Sequence, residues 1–370
     1  MTNQSHPTRL HPPPAAAAAP EASKTFQPVI ENTPPLPPIP WTAIGQTAPE
    51  LLPTPAGDLP AVAAVVITWA EAEWSALQHV FCASNASMPY SARSTSSWSG
   101  WQKYSKGVPS VPNQSWWNYW GEYRLVQIGS AKVLLFKSNT HLDSPGAEYL
   151  AQMISLLIAG ARPQLILSIG TAGGARVGDH LGTVNVVRGG TLYVANQPQA
   201  QWPAYTNPWT AQWNLLGVPG FDKLLFPVPT TTQDLQSLAR QFNTFYHSSY
   251  PFSELNVNNL NMADPLPAIN NLTTSGTTLL TTDSFVVATS AGNLGTFACV
   301  EMDDAIIAKA CLSGRTAFGF VRNVSDPVQN ATLPAKFQGH WGEAIYNTYG
   351  LYTSYNGALA AWAILSAQFN

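Results

Sequence analysis

An apolar segment without a charge, LILSIG at residues 165–170, leads directly into four small residues, TAGG, at 171–174. A second apolar segment, VAAVVIT at 62–68, continues into an amphipathic pattern over 70–81. Short apolar runs of this kind are typical of strands buried on both faces, and the amphipathic run predicts a helix. Strand, helix and strand at this spacing indicate a parallel sheet covered on both sides. We therefore predict an α/β protein with three layers, α/β/α, around a central mixed, mostly parallel sheet.

The rest of the chain continues this alternation and carries two long insertions. Further strands are predicted at 125–136 (a pair), 177–190, 279–289 and 317–321. Further helices are predicted at 145–159, 234–248, 302–312 and 355–367. We interpret the tryptophan-rich residues 88–123 as an inserted hairpin or lid. Residues 190–275 form a second insertion, long enough to hold helices of its own.

Prolines mark the boundary of the folded domain. Fifteen of the 31 prolines fall in residues 1–60, where stretches such as PPLPPIP favour extended polyproline conformation over a packed core. Residues 1–60 are therefore predicted to be a disordered tail, and residues 61–370 to be the folded domain. No apolar core of a signal peptide develops before these prolines, which favours a cytoplasmic protein.

Charged residues are scarce in this chain. The 17 Lys and Arg and 20 Asp and Glu make up 10% of it, against roughly 25% in an average soluble protein. The net charge of -3 gives no electrostatic reason to bind nucleic acid or an anionic membrane. No uncharged apolar run reaches about 18 residues, so no membrane-spanning helix is predicted. With so few acids, the position of each one is informative.

Four of these acids lie next to the ends of predicted strands. Glu73 follows the first strand, and Asp326 follows the strand at 317–321. Glu301 and Asp303 begin the helix between the last two strands. Taken singly, each fits an ordinary role, as a solvated helix residue, a first-turn acid favoured by the helix dipole, or a turn cap. Because parallel strands place their carboxyl ends at one edge of the sheet, their joint position predicts a shared pocket.

Several common catalytic signatures are missing from the sequence. The TAGG segment lacks the GxGxxG spacing, and there is no GxxxxGK[ST] loop or GxSxG turn. The three cysteines form no CxxC pair, and no triad or metal motif is recognisable around histidines of the folded part such as His79, His141, His180 and His340. We therefore predict no metal and no organic cofactor. The glycines are interpreted as a turn in which the backbone approaches a ligand closely.

Five short motifs occur in a characteristic order: IGTAGG, VGD, TTDSF, VEMD and VRNVSD. This set resembles the nucleoside phosphorylase and nucleosidase superfamily, and most of all its methylthioadenosine/S-adenosylhomocysteine nucleosidases. The resemblance spans most of residues 61–330 and leaves out much of 190–275. It implies a phosphorylase-like catalytic domain over 61–370 that assembles as a homo-oligomer. The implied reaction is cleavage of the N-glycosidic bond of a purine nucleoside through an oxocarbenium-like transition state.

The resemblance also implies roles for individual residues. Asp326 resembles the general acid that protonates the purine, a task that burial would favour by raising its pKa. Glu73 matches the carboxylate that positions the attacking water. Asp303 stands where the family usually has Glu to hold the ribose hydroxyls, and its side chain is one methylene shorter. The remaining candidate substrate-binding residues are Phe285, which would stack on the base, Met302, which would pack under the sugar, Glu301, Thr171, Gly173 and Ser325.

The nucleophile of such a reaction is either water or phosphate. Phosphorylases of the superfamily typically carry an arginine on the strand leading into the glycine-rich segment, whereas residues 165–169 hold no cation. Glu71 and Glu73 would repel phosphate, which leaves Arg322 and Arg176 as candidate anion ligands. We therefore expect hydrolysis with water as co-substrate. Phosphorolysis and a non-catalytic nucleoside-binding protein of the same fold are the alternatives.

Overall fold

The structure, a computed structural model, describes residues 26, 28–29, 33–93, 98–112, 114–176, 178–209, 218–255, 268–282, 294–327, 333 and 335–369. The strands of the described residues join in one sheet. They are β1 (Glu50–Leu51), β2 (Ala64–Thr68), β3 (Gln102–Tyr104), β4 (Gly121–Ile128), β5 (Ala131–Ser138), β6 (Leu165–Gly174), β7 (Val184–Val187), β8 (Gly189–Leu192), β9 (Ala204–Thr206), β10 (Ile269–Asn271), β11 (Leu279–Thr281), β12 (Val300–Glu301) and β13 (Ala317–Pro327). The α-helices are α1 (Glu71–Cys82), α2 (Ala147–Ala161), α3 (Thr232–Tyr246), α4 (Phe252–Leu255), α5 (Asp304–Gly314) and α6 (Ala335–Phe369).

Strand β6 is the centre of the sheet. Its first half pairs in parallel with β2, and its whole length pairs in parallel with β13, as far as Gly174. Near its C-terminal end it also pairs with β12, antiparallel, through Gly173 and Val300. Strand β2 continues the sheet through parallel β5 and antiparallel β4, while β13 is antiparallel to β7. The sheet is therefore mixed, with a parallel centre, as the apolar runs predict.

Helices cover both faces of this sheet. Along β2, Val66 faces a core cluster that includes Leu77 of α1 and Leu359 of α6. Its neighbour Ile67 faces the opposite cluster, together with Ile154 of α2 and residues of α5. Successive side chains of a strand point to opposite faces, so a continuous apolar run is buried by a helical layer on each side. The predicted α/β fold with three layers, α/β/α, is confirmed.

Two elements extend well beyond their predicted ends. Helix α6 has 35 residues, although a helix was predicted only at 355–367. Every residue from 351 to 366 is buried, so this helix shows no amphipathic period from which its start could be read. The TAGG segment is the last part of strand β6, where a turn was predicted. Its backbone groups pair with β13, which itself continues to Pro327.

The described part of the proline-rich segment packs on the domain, which corrects the prediction of a disordered tail for those residues. Leu36 is fully buried and exchanges two backbone hydrogen bonds with Met88. Trp41 is buried against Trp362 of α6, with ring centroids 4.4 Å apart. The backbone carbonyl of Pro34 accepts a hydrogen bond from the Tyr352 hydroxyl at 2.8 Å. A few large side chains between the prolines are enough to hold this stretch on the surface.

The tryptophan-rich segment is also part of the core. Its strand β3 pairs antiparallel with β4, which agrees with an inserted hairpin. Trp117 and Trp120 are buried and contact each other edge to face, with ring centroids 5.1 Å apart.

In the described residues, none of the helices has the length and apolar character needed to cross a bilayer.

Candidate active site

The C-terminal end of β6 is the place where the predicted site residues come together. Gly173 pairs with Asp326 of β13 on one side and with Val300 of β12 on the other. Thr171 lies two residues earlier, also buried. A strand that pairs on both sides at its end brings distant parts of the chain together at one edge of the sheet.

Glu73 is a buried carboxylate held by five hydrogen bonds. Its Oε2 accepts from the Thr68 hydroxyl at 2.9 Å and from the backbone N–H groups of Trp69 and Ala70, at 3.0 and 2.9 Å. Its Oε1 accepts from the backbone N–H and the hydroxyl of Thr171, both at 2.7 Å. An ionised carboxyl group accepts on both oxygens, which matches this set of donors. The first turn of α1 and the end of β6 thus hold one fixed anion between them.

Gly170 lets two charged side chains meet beside that anion. A Cβ at this position would lie 2.5 Å from Nη1 of Arg322 and 2.8 Å from Oε1 of Glu73. Any larger residue would collide with both groups. The first glycine of the IGTAGG motif therefore makes room for side chains of the protein itself.

Arg322 is buried and bound by acidic groups of the chain. Its Nε donates to Oδ2 of Asp304 at 2.7 Å, and its Nη2 donates to Oδ1 of the same residue at 2.5 Å. Nη2 also donates to the Ser168 hydroxyl at 2.7 Å and lies 3.2 Å from Oε2 of Glu301. Arg322 is predicted as an anion ligand, and the anion that it contacts in the structure is Asp304.

Asp326 is a buried acid with one bonded oxygen and one open oxygen. The Ser325 hydroxyl donates to Oδ1 at 2.6 Å, whereas Oδ2 has no hydrogen-bond partner among the described residues. Oδ2 faces α6, where a Cβ on Gly342 would lie 3.1 Å away. Burial raises the pKa of Asp326 from 3.8 to about 6, against the opposing effect of the Ser325 hydrogen bond. Such a group can hold a proton close to neutral pH and present it from Oδ2.

Glu301 caps the N-terminus of α5. Its oxygens accept hydrogen bonds from the backbone N–H groups of Asp303 at 2.7 Å and Asp304 at 3.1 Å, and from the hydroxyl of Thr281. Burial, and then the neighbouring Asp304, raise the pKa of Glu301 from 4.5 to about 8, while Arg322 opposes the shift. These bonds fix the start of the helix that carries Asp303 and Asp304.

Asp303 is joined to the loop that follows β5. Its Oδ1 accepts the backbone N–H of Leu142 at 2.9 Å, and its Oδ2 lies 3.3 Å from Nδ1 of His141. The side chain of His141 is 17% exposed while that of Asp303 is 4% exposed, so the imidazole lies between the buried acid and the outside. The ring of Trp69 lies next to this imidazole, with centroids 6.1 Å apart.

The two predicted catalytic acids have separate partners. Thr171 contacts Glu73, and Ser325 contacts Asp326, but no hydrogen bond among the described residues joins the two acids directly. Met302 is half-buried, and Phe285 lies outside the described residues. Within the part of the chain that the structure describes, no group of three or more His, Cys, Asp or Glu residues is arranged to hold a metal ion.

Sequence reasoning missed three residues of this site: Asp304, Ser168 and His141. Ser168 is a polar residue inside a strand that is buried on both faces, and such a residue needs a hydrogen-bond partner. That pattern in the sequence indicates that Ser168 has a buried polar partner, and in the structure this partner is Asp304. His141 had no such signal, because it contacts Asp303 across 162 residues of chain.

No protein-family model matches this chain, and no curated protein matches its sequence. Several solved structures are similar in fold. The 5′-methylthioadenosine/S-adenosylhomocysteine nucleosidase of Neisseria meningitidis is 15% identical, with 82% of this chain and 99% of that one covered and a TM-score of 0.40. The S-adenosylhomocysteine nucleosidase of Streptococcus pyogenes is also 15% identical, with 84% of this chain and 98% of that one covered and a TM-score of 0.43. The futalosine hydrolase of Helicobacter pylori is 12% identical, with 82% of this chain and 97% of that one covered and a TM-score of 0.43.

The first two neighbours belong to the nucleosidases that the motifs of the sequence resemble.

Proposed function

We propose that this chain is a nucleosidase that hydrolyses the N-glycosidic bond of a purine nucleoside. The observation that carries the proposal is the carboxyl group of Asp326. It is buried, its pKa is about 6, and its Oδ2 has no hydrogen-bond partner among the described residues. A general acid works best when its pKa lies near the working pH and its proton points at the leaving group. Asp326 meets the pKa requirement, and its Oδ2 is not engaged by another group of the described residues.

The leaving group in this reaction is the purine base. Protonation of a ring nitrogen by Asp326 lets the base leave as a neutral molecule with the electrons of the C1′–N bond. The sugar is left with oxocarbenium character at C1′. The neighbouring Ser325 hydroxyl, 2.6 Å from Oδ1, orients the carboxyl group and stabilises the carboxylate that forms.

Water then attacks C1′ and loses a proton. Thr171 is suited to receive that water, because a hydroxyl that donates to Glu73 can still accept two hydrogen bonds. The proton of the water passes to Thr171 Oγ1 as the Thr171 proton passes to Glu73. The products are the free base and the free sugar, and proton exchange with solvent restores both acids.

We expect Asp303 and His141 to bind the sugar. The carboxylate can accept hydrogen bonds from sugar hydroxyls beyond those from the 142 backbone and the histidine. Met302 is next in the chain and half-buried, which fits packing under the sugar ring. Stacking of Phe285 on the base stays a prediction, as do homo-oligomeric assembly and a cytoplasmic location.

The state of Arg322 favours water over phosphate as the nucleophile. Phosphate binding requires donors that are not already engaged, and bidentate sites on arginine are the strongest of these. Asp304 already contacts both Nε and Nη2 of Arg322. The Nε–Nη2 edge of the guanidinium therefore already holds a carboxylate.

The proposal is tested by product analysis with and without phosphate. Adenosine, inosine, guanosine, methylthioadenosine and uridine are incubated with the full chain, and free base, free sugar and sugar 1-phosphate are measured. We expect free base and free sugar from at least one purine nucleoside, at a rate that phosphate does not change. Uridine should not be cleaved, because a pyrimidine lacks the five-membered ring whose nitrogen a purine offers for protonation.

The other outcomes would each contradict a part of the proposal. Sugar 1-phosphate formed only with phosphate would identify a phosphorylase. Tight binding of a nucleoside without release of base would identify a binding protein. Efficient cleavage of uridine would contradict protonation of the purine as the source of the rate.

A further inference from the structure

Thr140, in the loop after β5, is held by two tryptophans from different parts of the chain. The indole N–H of Trp69, which directly follows β2, donates to the Thr140 carbonyl at 3.0 Å. The indole N–H of Trp117, in the tryptophan-rich insertion, donates to the Thr140 hydroxyl at 3.1 Å. All three residues are buried. Because a buried donor or acceptor that loses its partner costs free energy, these two bonds fix the position of Thr140.

The two residues after Thr140 are the ones that contact Asp303. The backbone N–H of Leu142 donates to Oδ1 of Asp303 at 2.9 Å, and Nδ1 of His141 lies 3.3 Å from Oδ2. The backbone N–H of Thr140 is also engaged, since it donates to the Ser138 hydroxyl at 3.0 Å. A shift of Thr140 would therefore move His141 and Leu142 away from the acid.

We propose that Trp69 and Trp117 are positioning residues that hold His141 against Asp303, so that the tryptophan-rich insertion forms part of the sugar-binding end of the site. The proposal rests on the nucleosidase function proposed above, in which Asp303 and His141 bind the sugar. A binding group has to be held within about 0.5 Å of its productive position, and hydrogen bonds from behind it supply that precision. The two indoles supply such bonds through Thr140.

Trp69 also joins this end of the site to the end that holds the water. Its backbone N–H donates to Oε2 of Glu73 at 3.0 Å, and its ring centroid lies 6.1 Å from that of His141. The same ring lies 5.3 Å from the guanidinium carbon of Arg322. Trp69→Phe keeps the backbone bond to Glu73 and an aromatic ring but removes the indole N–H. This substitution therefore tests the sugar-binding end and spares the contact with the carboxylate.

The kinetic experiment compares four proteins: the wild type, Trp69→Phe, Trp69→Phe with Trp117→Phe, and Trp120→Phe. Trp120→Phe is the matched control, because the indole N–H of Trp120 also donates to a backbone carbonyl at 3.0 Å, but to that of Lys106. Base release is measured with the purine ribonucleoside that the wild type cleaves and with its 2′,3′-dideoxy analogue, which lacks the ring hydroxyls. Each rate is divided by the wild-type rate on the same substrate, which removes the difference in strength between the two glycosidic bonds.

We expect Trp69→Phe to raise KM for the ribonucleoside by about tenfold with little change in kcat, because one set of sugar contacts is lost in the ground state and the transition state alike. The double variant should raise KM further, since Thr140 then has neither indole bond. On the dideoxy analogue, these variants should equal the wild type. Trp120→Phe should equal the wild type on both substrates.

A second measurement needs no turnover. Proton–nitrogen NMR spectra of the imidazole rings show which ring nitrogen carries a proton. In the wild type, Nδ1 of His141 should be protonated, because Oδ2 of Asp303 accepts from it. His79 is the internal reference, because its Nε2 lies 2.9 Å from the carbonyl of Pro37 and must carry the proton there. In the double variant, the Nδ1 proton of His141 should be partly lost while the His79 signals stay unchanged.

Three results would overturn the proposal. One is an equal loss of activity by Trp69→Phe on both substrates, which is what a role in folding alone would produce. Another is a rise of KM in Trp120→Phe as large as that in Trp69→Phe. The third is wild-type His141 without a proton on Nδ1, a result that stands even if no tryptophan variant folds. Failure of the nucleosidase proposal looks different, because the wild type then releases no base while the NMR spectra still test the positioning of His141.

Discussion

The two catalytic acids proposed for this chain lie in opposite surroundings. At the end of β13, Asp326 has a single hydrogen bond from Ser325, and its other oxygen has no partner among the described residues. At the start of α1, Glu73 accepts five hydrogen bonds on its two oxygens. Both side chains are almost completely buried, with 1% and 2% exposure. Burial alone therefore does not decide how an acid behaves, since the donors around it differ.

This difference separates the two tasks of an acid–base reaction. A buried carboxyl group with few donors keeps a proton and can give it away. A carboxyl group surrounded by donors stays a carboxylate and can orient or accept from its neighbours. Pairs of acids whose surroundings shift their pKa values in opposite directions are a common basis for general acid–base catalysis. Substitutions that remove the charge should therefore affect the two sites differently.

The largest effect on turnover is expected from Asp326→Asn. The amide cannot donate an acidic proton, so base release should fall by roughly 10³-fold, within the range for loss of a general acid. Stability at neutral pH should stay the same or rise, because a buried carboxyl group with a raised pKa is replaced by a neutral group. Turnover is measured as base release, and stability by urea unfolding.

The matched control is Asp58→Asn, since Asp58 is an exposed acid near β1 that pairs with Lys106. Its turnover should equal that of the wild type. Turnover by Asp326→Asn that also equals that of the wild type would remove Asp326 from the mechanism.

Glu73→Gln should cost more stability and less turnover than Asp326→Asn. One oxygen of Glu73 becomes an NH₂ group that faces donors, so buried hydrogen bonds are lost and about 2–4 kcal/mol of unfolding free energy should be lost with them. Base release should fall by roughly 10²-fold because the water is no longer oriented. Glu71→Gln, in the same helical turn, is the control. It should change the unfolding free energy by about 0.5 kcal/mol or less. Equal stability of the two variants would show that the five bonds do not hold the site together.

The site could be predicted from the sequence where its residues lie at the ends of strands. Asp326 lies near the end of β13 and Glu73 in the first turn of the helix after β2, and the register of β6 against β2 and β13 brings those strand ends to one edge. Strand pairing is regular, so a residue at or shortly after a strand end has a predictable place. Both acids were found for this reason.

The partners of these residues could not be predicted in the same way. The contacts of His141 with Asp303 and of Ser168 with Asp304 join residues 162 and 136 positions apart. They depend on how the start of α5 lies beside β6 and beside the loop after β5, which no local pattern records. The length of α6 was missed for a related reason, because a helix buried on all sides carries no amphipathic signal.

The pH dependence of the unfolding free energy should reveal the raised pKa of Asp326. The folded-state pKa of Asp326, about 6, is higher than its value of 3.8 outside the fold. The folded state therefore binds more protons between these values, and this residue's contribution to stability is full below pH 3.8 and is lost as the pH rises to 6. The loss is about 3 kcal/mol, from roughly 1.4 kcal/mol per pKa unit.

The difference in unfolding free energy between wild type and Asp326→Asn contains this contribution alone. Glu301, whose raised pKa also lowers stability as the pH rises, up to pH 8, contributes equally to both proteins and cancels. Urea unfolding at pH 4, 5, 6 and 7 should show the wild type losing stability relative to the variant until about pH 6. Wild-type base release should decline above the same pH, because the protonated form is the active one. A constant difference across this pH range would contradict a raised pKa.

The smallest effect is expected at Thr171, which connects Glu73 to the attacking water. Thr171→Val keeps the shape of the side chain and the backbone N–H bond to Oε1 but removes the hydroxyl bond, also 2.7 Å long. Base release should fall by about tenfold, and the unfolding free energy by about 1 kcal/mol, the typical value of one hydrogen bond. Thr171→Ser keeps the hydroxyl and should retain most of the activity. If valine and serine variants lose equal activity, the hydroxyl does not bind the water, and Glu73 must orient it without an intermediary.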